Sequence, residues 1–241
     1  AMTSGWRWTI PTYHRIGNGY VYSSDFISQD QAETEFRTTL NDFDTPINHL
    51  KMKTGYHKNI AKKNVCAVGL SAGFVEPLEA TGITFTTAVV EYVTEQLNMS
   101  GNVWGPTAHR RINQHFQMMS DEILAFVWAH YYYSSKNDTE YWKAIRNLKL
   151  DDLPEGSSKM ISSLLPAPAR YFMYSPDSMF SVCQWFSMLK AGGAYDNIDP
   201  YITEKQEQYG KYFTTAISQK VDLAEKYFQN HYEYLKEWYN G

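Results

Sequence analysis

The sequence predicts an α+β chain, mostly helical, with a β-hairpin region near its start and a helical module filling its second half. Three observations carry that expectation. Residues 5–10 alternate with period two, Trp6, Trp8 and Ile10 against Arg7 and Thr9, as a strand requires. Beyond residue 81 apolar side chains recur every three or four positions in segment after segment, which is helical spacing. Aromatic residues make up 16% of the 241, enough to fill a large core and foreign to disordered composition.

Each element follows from local chemistry. Pro11 stops the first strand. Gly17-Asn18-Gly19, between Tyr13-His14-Arg15-Ile16 and Tyr20-Val21-Tyr22, reads as the turn of a hairpin. Ser28, with Gln31 at the third position after it, is a capping box that opens a helix to about Leu40. Residues 64–70 are small and apolar and read as a buried strand entering a tight turn at Ser71-Ala72-Gly73-Phe74. Pro77 opens a helical turn. Val89, Val90, Val93 and Leu97 mark a helix from Thr81 that ends before Met99-Ser100-Gly101. Ile112, Phe116, Met119, Ile123, Phe126, Val127 and His130-Tyr131 mark a long amphipathic or buried one. Further helices are expected at about 139–147, 176–191 and 201–238, with a polar link at Pro154-Glu155-Gly156-Ser157-Ser158.

Composition excludes several classes. A formal net charge of −4 offers no basic face to a phosphate backbone, so nucleic acid is not an expected partner. No apolar run reaches membrane length and no targeting segment is visible, so the chain reads as cytoplasmic. Cys66 and Cys183 stand far apart, outside any metal-ligand spacing, so no metal site is expected. Neither Gly-x-Gly-x-x-Gly, a P-loop nor a His-Glu-x-x-His motif occurs.

The segment Gly69 to Gly82 carries the most chemistry. Its glycines allow a flat or anionic ligand to approach the backbone, and the helix after it turns free N–H groups toward an anion. Gly69, Ser71, Gly73, Phe74, Glu76, Pro77, Thr81 and Gly82 are therefore candidate cofactor contacts. Glu76 and Glu79 flank Pro77, and a buried carboxylate there could serve as acid or base. The plainer alternative makes Glu76 a cap on the turn and Glu79 a solvated first-turn acid. Trp6 and Trp8, with Ile10 and Pro11, are either core or a stiff aromatic partition. His130, Tyr131, Tyr141 and Trp142 are either core or a sandwich for a planar substrate.

Gly5-Trp6-x-Trp8-x-Ile10-Pro11 and Gly69 to Gly82 together resemble the flavin-dependent halogenases of the tryptophan halogenase family. The likeness continues through Arg15 to Ser24, Asn64 to Leu70, Ile123 to Tyr131 and Asp138 to Trp142, and so covers residues 1–147 in pieces. It implies an enzyme to which a separate flavin reductase delivers reduced FAD. Oxygen and a chloride or bromide ion then yield hypohalous acid, which halogenates a distant aromatic substrate of indole or phenol type. Glu79 matches the family's catalytic glutamate, and Thr81 with Gly82 match its halide site. Trp6 and Trp8 match the tryptophans that keep substrate from the flavin. Ala80 stands where many members carry Ser. The family's Gly-rich phosphate loop and catalytic lysine precede the Trp motif, and Lys58, Lys62 and Lys63 do not match that lysine's context.

On that resemblance the chain is expected to be the C-terminal part of such an enzyme, inactive alone. It would be the remnant of a flavin-monooxygenase-type domain, with residues 1–97 completing the flavin and halide site and residues 98–241 forming a helical substrate module. A non-catalytic aromatic-binding module and a flavin-dependent hydroxylase are the alternatives. Substrate, halide and oligomeric state, a homodimer among the options, stay open.

Overall fold

The computed structural model describes residues 1–101, 103–165, 178–194, 200–227 and 230–240. They fall into two compact units that interleave along the chain, one of residues 1–45, 136–143 and 197–241, the other of residues 46–135 and 144–196. The α+β, mostly helical class holds.

In the first unit β1 (Gly5–Pro11) pairs antiparallel with β2 (Ile16–Tyr22), Trp6 opposite Val21 and Trp8 opposite Gly19. The hairpin is therefore real, but its turn is not where the glycines suggested. The loop is Thr12 to Arg15, closed by the Thr12 N–H and hydroxyl on the Arg15 carbonyl, both at 2.8 Å. Gly17 and Gly19 lie inside β2, and neither takes a positive φ. They are there for room: a Cβ on Gly19 would stand 2.3 Å from the Trp8 indole, and one on Gly17 3.3 Å from it.

Helix α1 (Gln29–Leu40) starts at the expected capping box, Ser28 and Gln31 each satisfying the other's backbone N–H. It buries Ala32 and Phe36. Its Glu35 accepts from the Thr3 N–H (2.8 Å) and the Tyr20 hydroxyl (3.0 Å), tying the chain start to β2. The helix expected over 201–238 is two, α7 (Pro200–Tyr227) and α8 (His231–Asn240). Asn230 opens α8 by accepting the Tyr232 N–H on its side chain at 2.9 Å, an N-cap that periodicity does not reveal. Tyr239 of α8 stacks on Tyr13, ring centres 5.4 Å apart.

The second unit is built on α2 (Thr81–Met99) and α3 (Pro106–Tyr132). Four two-residue strands flank them, β3 (Gly55–Tyr56) pairing with β6 (Gly73–Phe74) and β4 (Ala61–Lys62) with β5 (Val65–Cys66). The buried strand expected over 64–70 is reduced to the two residues of β5 and is not buried. Val65 is 62% exposed and Leu70 82%, and Gly69, at φ 62, leaves the extended region to open a 3-10 turn over Gly69–Ser71. The core gathers Ile60, Ala72, Val89, Ile112, Phe116 and Met119. Helix α2 packs on α3.

The supposed polar link at 154–158 opens a helix, α5 (Glu155–Leu164). Its buried stripe is Ser157, Met160, Ile161 and Leu164, helical spacing that starts on a serine. Helices α4 (Glu140–Arg146) and α6 (Val182–Ala191) were both expected. Residues 176–177 of the span predicted for α6 lie outside the described residues. Ahead of α6, the buried Glu122 of α3 accepts the Met179 N–H at 2.8 Å, the Phe180 N–H at 3.2 Å, the Ser178 hydroxyl and the Trp185 indole N–H.

Candidate functional site

Glu79 stands on a strained stretch of backbone. It and Ala80 take φ of 65° and 51° in succession, in the 3-10 turn that follows Pro77 and leads into α2. Left-handed backbone costs a non-glycine residue roughly 1–2 kcal/mol, so two in a row need support from outside the turn. Two adjacent residues at the end of α3 meet the carboxylates here. His130 Nε2 lies 3.1 Å from Glu79 Oε1, and the Tyr131 hydroxyl donates to Glu76 at 2.7 and 3.0 Å. One helix end thus braces both carboxylates that flank Pro77.

Both ring nitrogens of His130 are engaged. His130 Nδ1 is 2.8 Å from the Phe126 carbonyl, which can only accept, so Nδ1 carries a proton. The contact at Nε2 faces a carboxylate oxygen and is a hydrogen bond only when a second proton sits between them. With its side chain 36% exposed, Glu79 remains open to a ligand. The solvated-acid reading of Glu79 omits this partner.

Just past Glu79, Thr81 is buried while Gly82 is exposed, with open space where a Cβ would stand. The first N–H groups of α2 have no partner within the helix, and the dipole favours an anion there. Upstream, the Ser71 hydroxyl closes its own turn on the Val68 carbonyl at 2.7 Å. Gly73 serves the β3–β6 pairing, since a Cβ there would meet that of Tyr56 at 2.4 Å. Phe74, Glu76 and Pro77 are half-buried.

The other candidates divide between the units. Trp6 and Trp8 share one face of β1 in the first unit, both half-buried, whereas Ile10 and Pro11 are exposed. Tyr141 and Trp142 also belong to the first unit and are buried. The Trp142 indole donates to the Met2 carbonyl at 2.8 Å, and Tyr141 meets Phe26 edge-on with ring centres 5.4 Å apart. His130 and Tyr131 belong to the second unit, with Glu76 and Glu79. The pairing of His130 with Glu79 has no local signal in the sequence, because the partners lie on different elements and meet only through the packing of α3. Glu122 escapes sequence reasoning for the same reason. Among the described residues no three His, Cys, Asp or Glu side chains gather as a metal site, and no helix is long and apolar enough to cross a membrane.

The chain is 31% identical to the tryptophan 6-halogenase SttH of Streptomyces toxytricini over 243 residues, covering 98% of this chain and 45% of that protein. It is 36% identical to the tryptophan 7-halogenase RebH of Lentzea aerocolonigenes over 154 residues, 63% of this chain and 29% of that one. The crystal structure of SttH superposes with a TM-score of 0.77 over 98% of this chain and 46% of its own. BrvH, a flavin-dependent halogenase from Brevundimonas sp. BAL3, superposes with a TM-score of 0.76 at 27% identity, over 98% of this chain and 47% of its own. The chain thus spans less than half the length of these relatives. The tryptophan halogenase profile matches residues 1–207, and with the fold in agreement over nearly the whole chain, this protein belongs to the tryptophan halogenase family.

Proposed function

We propose that the chain carries the halide and acid–base side of a flavin-dependent halogenase acting on an indole or phenol-type substrate. The observation that bears this reading is the Glu79–His130 pair beside the open N-terminus of α2. The residues present fit a halide and the edge of a planar ring: Gly82 leaves room, and Leu70 and Ile83 present exposed apolar surface. When bound, reduced flavin supplies the oxygen activation that converts halide to hypohalous acid.

The chain's own residues then have defined tasks. The N-terminus of α2, at Thr81 and Gly82, draws the anion by its free N–H groups. Gly69, Ser71, Gly73, Phe74, Glu76 and Pro77 shape the wall toward the ring. Electrophilic substitution by hypohalous acid releases a ring proton and leaves a hydroxyl oxygen that must be protonated. Glu79 and His130 relay a proton to that oxygen as the carbon–halogen bond forms and take one up from the ring, so water leaves and the balance closes. Trp6 and Trp8, with Ile10 and Pro11, are assigned the partition that keeps substrate from the flavin. Residues 1–97 would then serve the flavin and halide site and residues 98–241 the substrate, with His130, Tyr131, Tyr141 and Trp142 on the substrate side. A separate flavin reductase is the expected partner.

The test is product analysis in the protein that carries this chain, with reduced FAD, oxygen, bromide and an indole. A brominated product is expected, lost by about two orders of magnitude or more in Glu79→Gln. Full turnover by that variant removes Glu79 from the chemistry. A hydroxylated product that ignores bromide makes the protein a hydroxylase, and aromatic binding without turnover makes it a binding module.

A further inference from the structure

The second unit holds another cluster of charged side chains that plays no part in that chemistry, and its properties are independent of the halogenation reading. The turn between β4 and β5 brings Lys62 and Lys63 to a cavity of about 490 Å³ that His57, Lys58 and His109 also line. Among the described residues no carboxylate lines it, and none of the three lysines has an ion pair. In a chain of net charge −4, three ammonium groups gathered without a counter-charge repel one another and attract a multiply charged anion.

The wall of this cavity is fixed in place. Asn113 of α3 grips one residue on both sides, accepting the Ala61 N–H at 2.8 Å and donating to the Ala61 carbonyl at 3.0 Å. The Trp104 indole donates to the Lys63 carbonyl, and Lys63 holds a left-handed φ of 54°. Ile60 and Ala61 beneath are buried. A preformed wall spares a ligand the cost of ordering it. His109 packs edge-on against Trp104, ring centres 4.9 Å apart, and its Nε2 is buried without a partner.

A second cavity, of about 690 Å³, shares Lys58, Asn59 and Asn113 with the first and adds Arg110, Gln114 and Gln117. Its Asp121 is already engaged, by the Tyr56 hydroxyl at 2.7 Å and by Gln117 at 3.0 Å. One chamber is thus cationic and its neighbour rich in side-chain amides, which both donate and accept. We propose that the two form one binding site for a phosphate-bearing ligand of nucleotide size. The phosphates sit against Lys58, Lys62 and Lys63, and the uncharged part lies along Asn59, Gln114 and Gln117. Separate ammonium groups suit a polyanion with several oxygens to share among them.

Calorimetric titration of the chain with pyrophosphate, ADP and adenosine in turn tests the assignment. Pyrophosphate and ADP are expected to bind saturably at one site, ADP more tightly, and adenosine not at all. The double variant Lys62→Gln, Lys63→Gln changes exposed side chains only and should weaken ADP about a hundredfold, roughly tenfold for each charge-assisted hydrogen bond removed. Lys51→Gln with Lys53→Gln, exposed lysines outside both cavities, should leave binding unchanged. The assignment is overturned if neither pyrophosphate nor ADP saturates, if adenosine binds as well as ADP, or if the two double variants bind alike.

Discussion

Replacing Glu122 with Gln keeps the shape of a buried side chain and removes one of its two accepting oxygens. One oxygen receives the Ser178 hydroxyl, the Phe180 N–H and the Trp185 indole, and the other receives the Met179 N–H at 2.8 Å. An amide has a single oxygen, so whichever way it is turned, an N–H or hydroxyl faces an NH₂ group that cannot accept. Leaving one such donor unpaired costs about 1–3 kcal/mol, and the remaining bonds lose the strength that the charge gave them. The sum is about 2–4 kcal/mol, a fall in melting temperature of roughly 5–12 °C for a chain of this size. Urea and thermal unfolding followed by circular dichroism measure it. A Glu122→Gln protein within about 0.5 kcal/mol of the parent would show that the loop before α6 is not held by this carboxylate.

Two more outcomes depend on particular atoms. Gly19→Ala must push the Trp8 indole off β2, since the new Cβ would sit 2.3 Å from the ring. It should cost about 1–3 kcal/mol and alter tryptophan fluorescence, whereas Gly17→Ala, at 3.3 Å, costs less; equal stability of both variants with the parent would contradict the packing. Burial, aided by Glu35 and Asp121 respectively, holds the Tyr20 and Tyr56 hydroxyls well above the ordinary phenol range. The folded state then keeps protons that the unfolded state releases, so their contribution is complete below about pH 10 and is lost as pH rises beyond it. Ultraviolet titration should find that Tyr20 and Tyr56, followed by the loss of signal in Tyr20→Phe and Tyr56→Phe, ionise in the ordinary range only after denaturant is added.

How much of this is legible in the sequence depends on the range of the interaction that decides each feature. The capping box at Ser28 and Gln31 needs only four residues and can be read to the residue. Long amphipathic stripes such as Ile112 to Tyr131 impose their helix wherever they pack. Gly17-Asn18-Gly19 misleads because two causes place glycine in a chain, positive φ and lack of space, and only the cross-strand register shows that Trp8 takes the space. Helix α5 is hidden because its buried stripe begins on Ser157, held by the Asp121 carbonyl at 2.9 Å, and Pro-Glu-Gly-Ser-Ser has the composition of a linker. The short apolar run at 64–70 meets the converse fate. It has strand-like residues, but its ladder with β4 stops at Val65–Cys66 and Gly69 turns the chain out of the extended region.

For the candidate site the same division has a chemical meaning. The sequence shows Glu79 and the residues after it, but a carboxylate on a flexible turn is only a solvated acid. What makes it a candidate for proton transfer is that its backbone is held in an unfavourable conformation and its side chain meets a histidine whose other nitrogen is already committed to Phe126. Strain of that kind persists only where neighbours over-determine it, and the neighbours here are His130 and Tyr131, set side by side on α3 so that each meets one carboxylate. An α-helix turns about 100° per residue, so two adjacent residues can reach two carboxylates only if those carboxylates are splayed apart. The left-handed pair Glu79-Ala80 lies between Pro77 and α2, and Glu79 and Glu76 meet different residues, His130 and Tyr131. The awkward backbone is thus the means by which one helix end addresses both acids, and relaxing it would leave His130 without its partner.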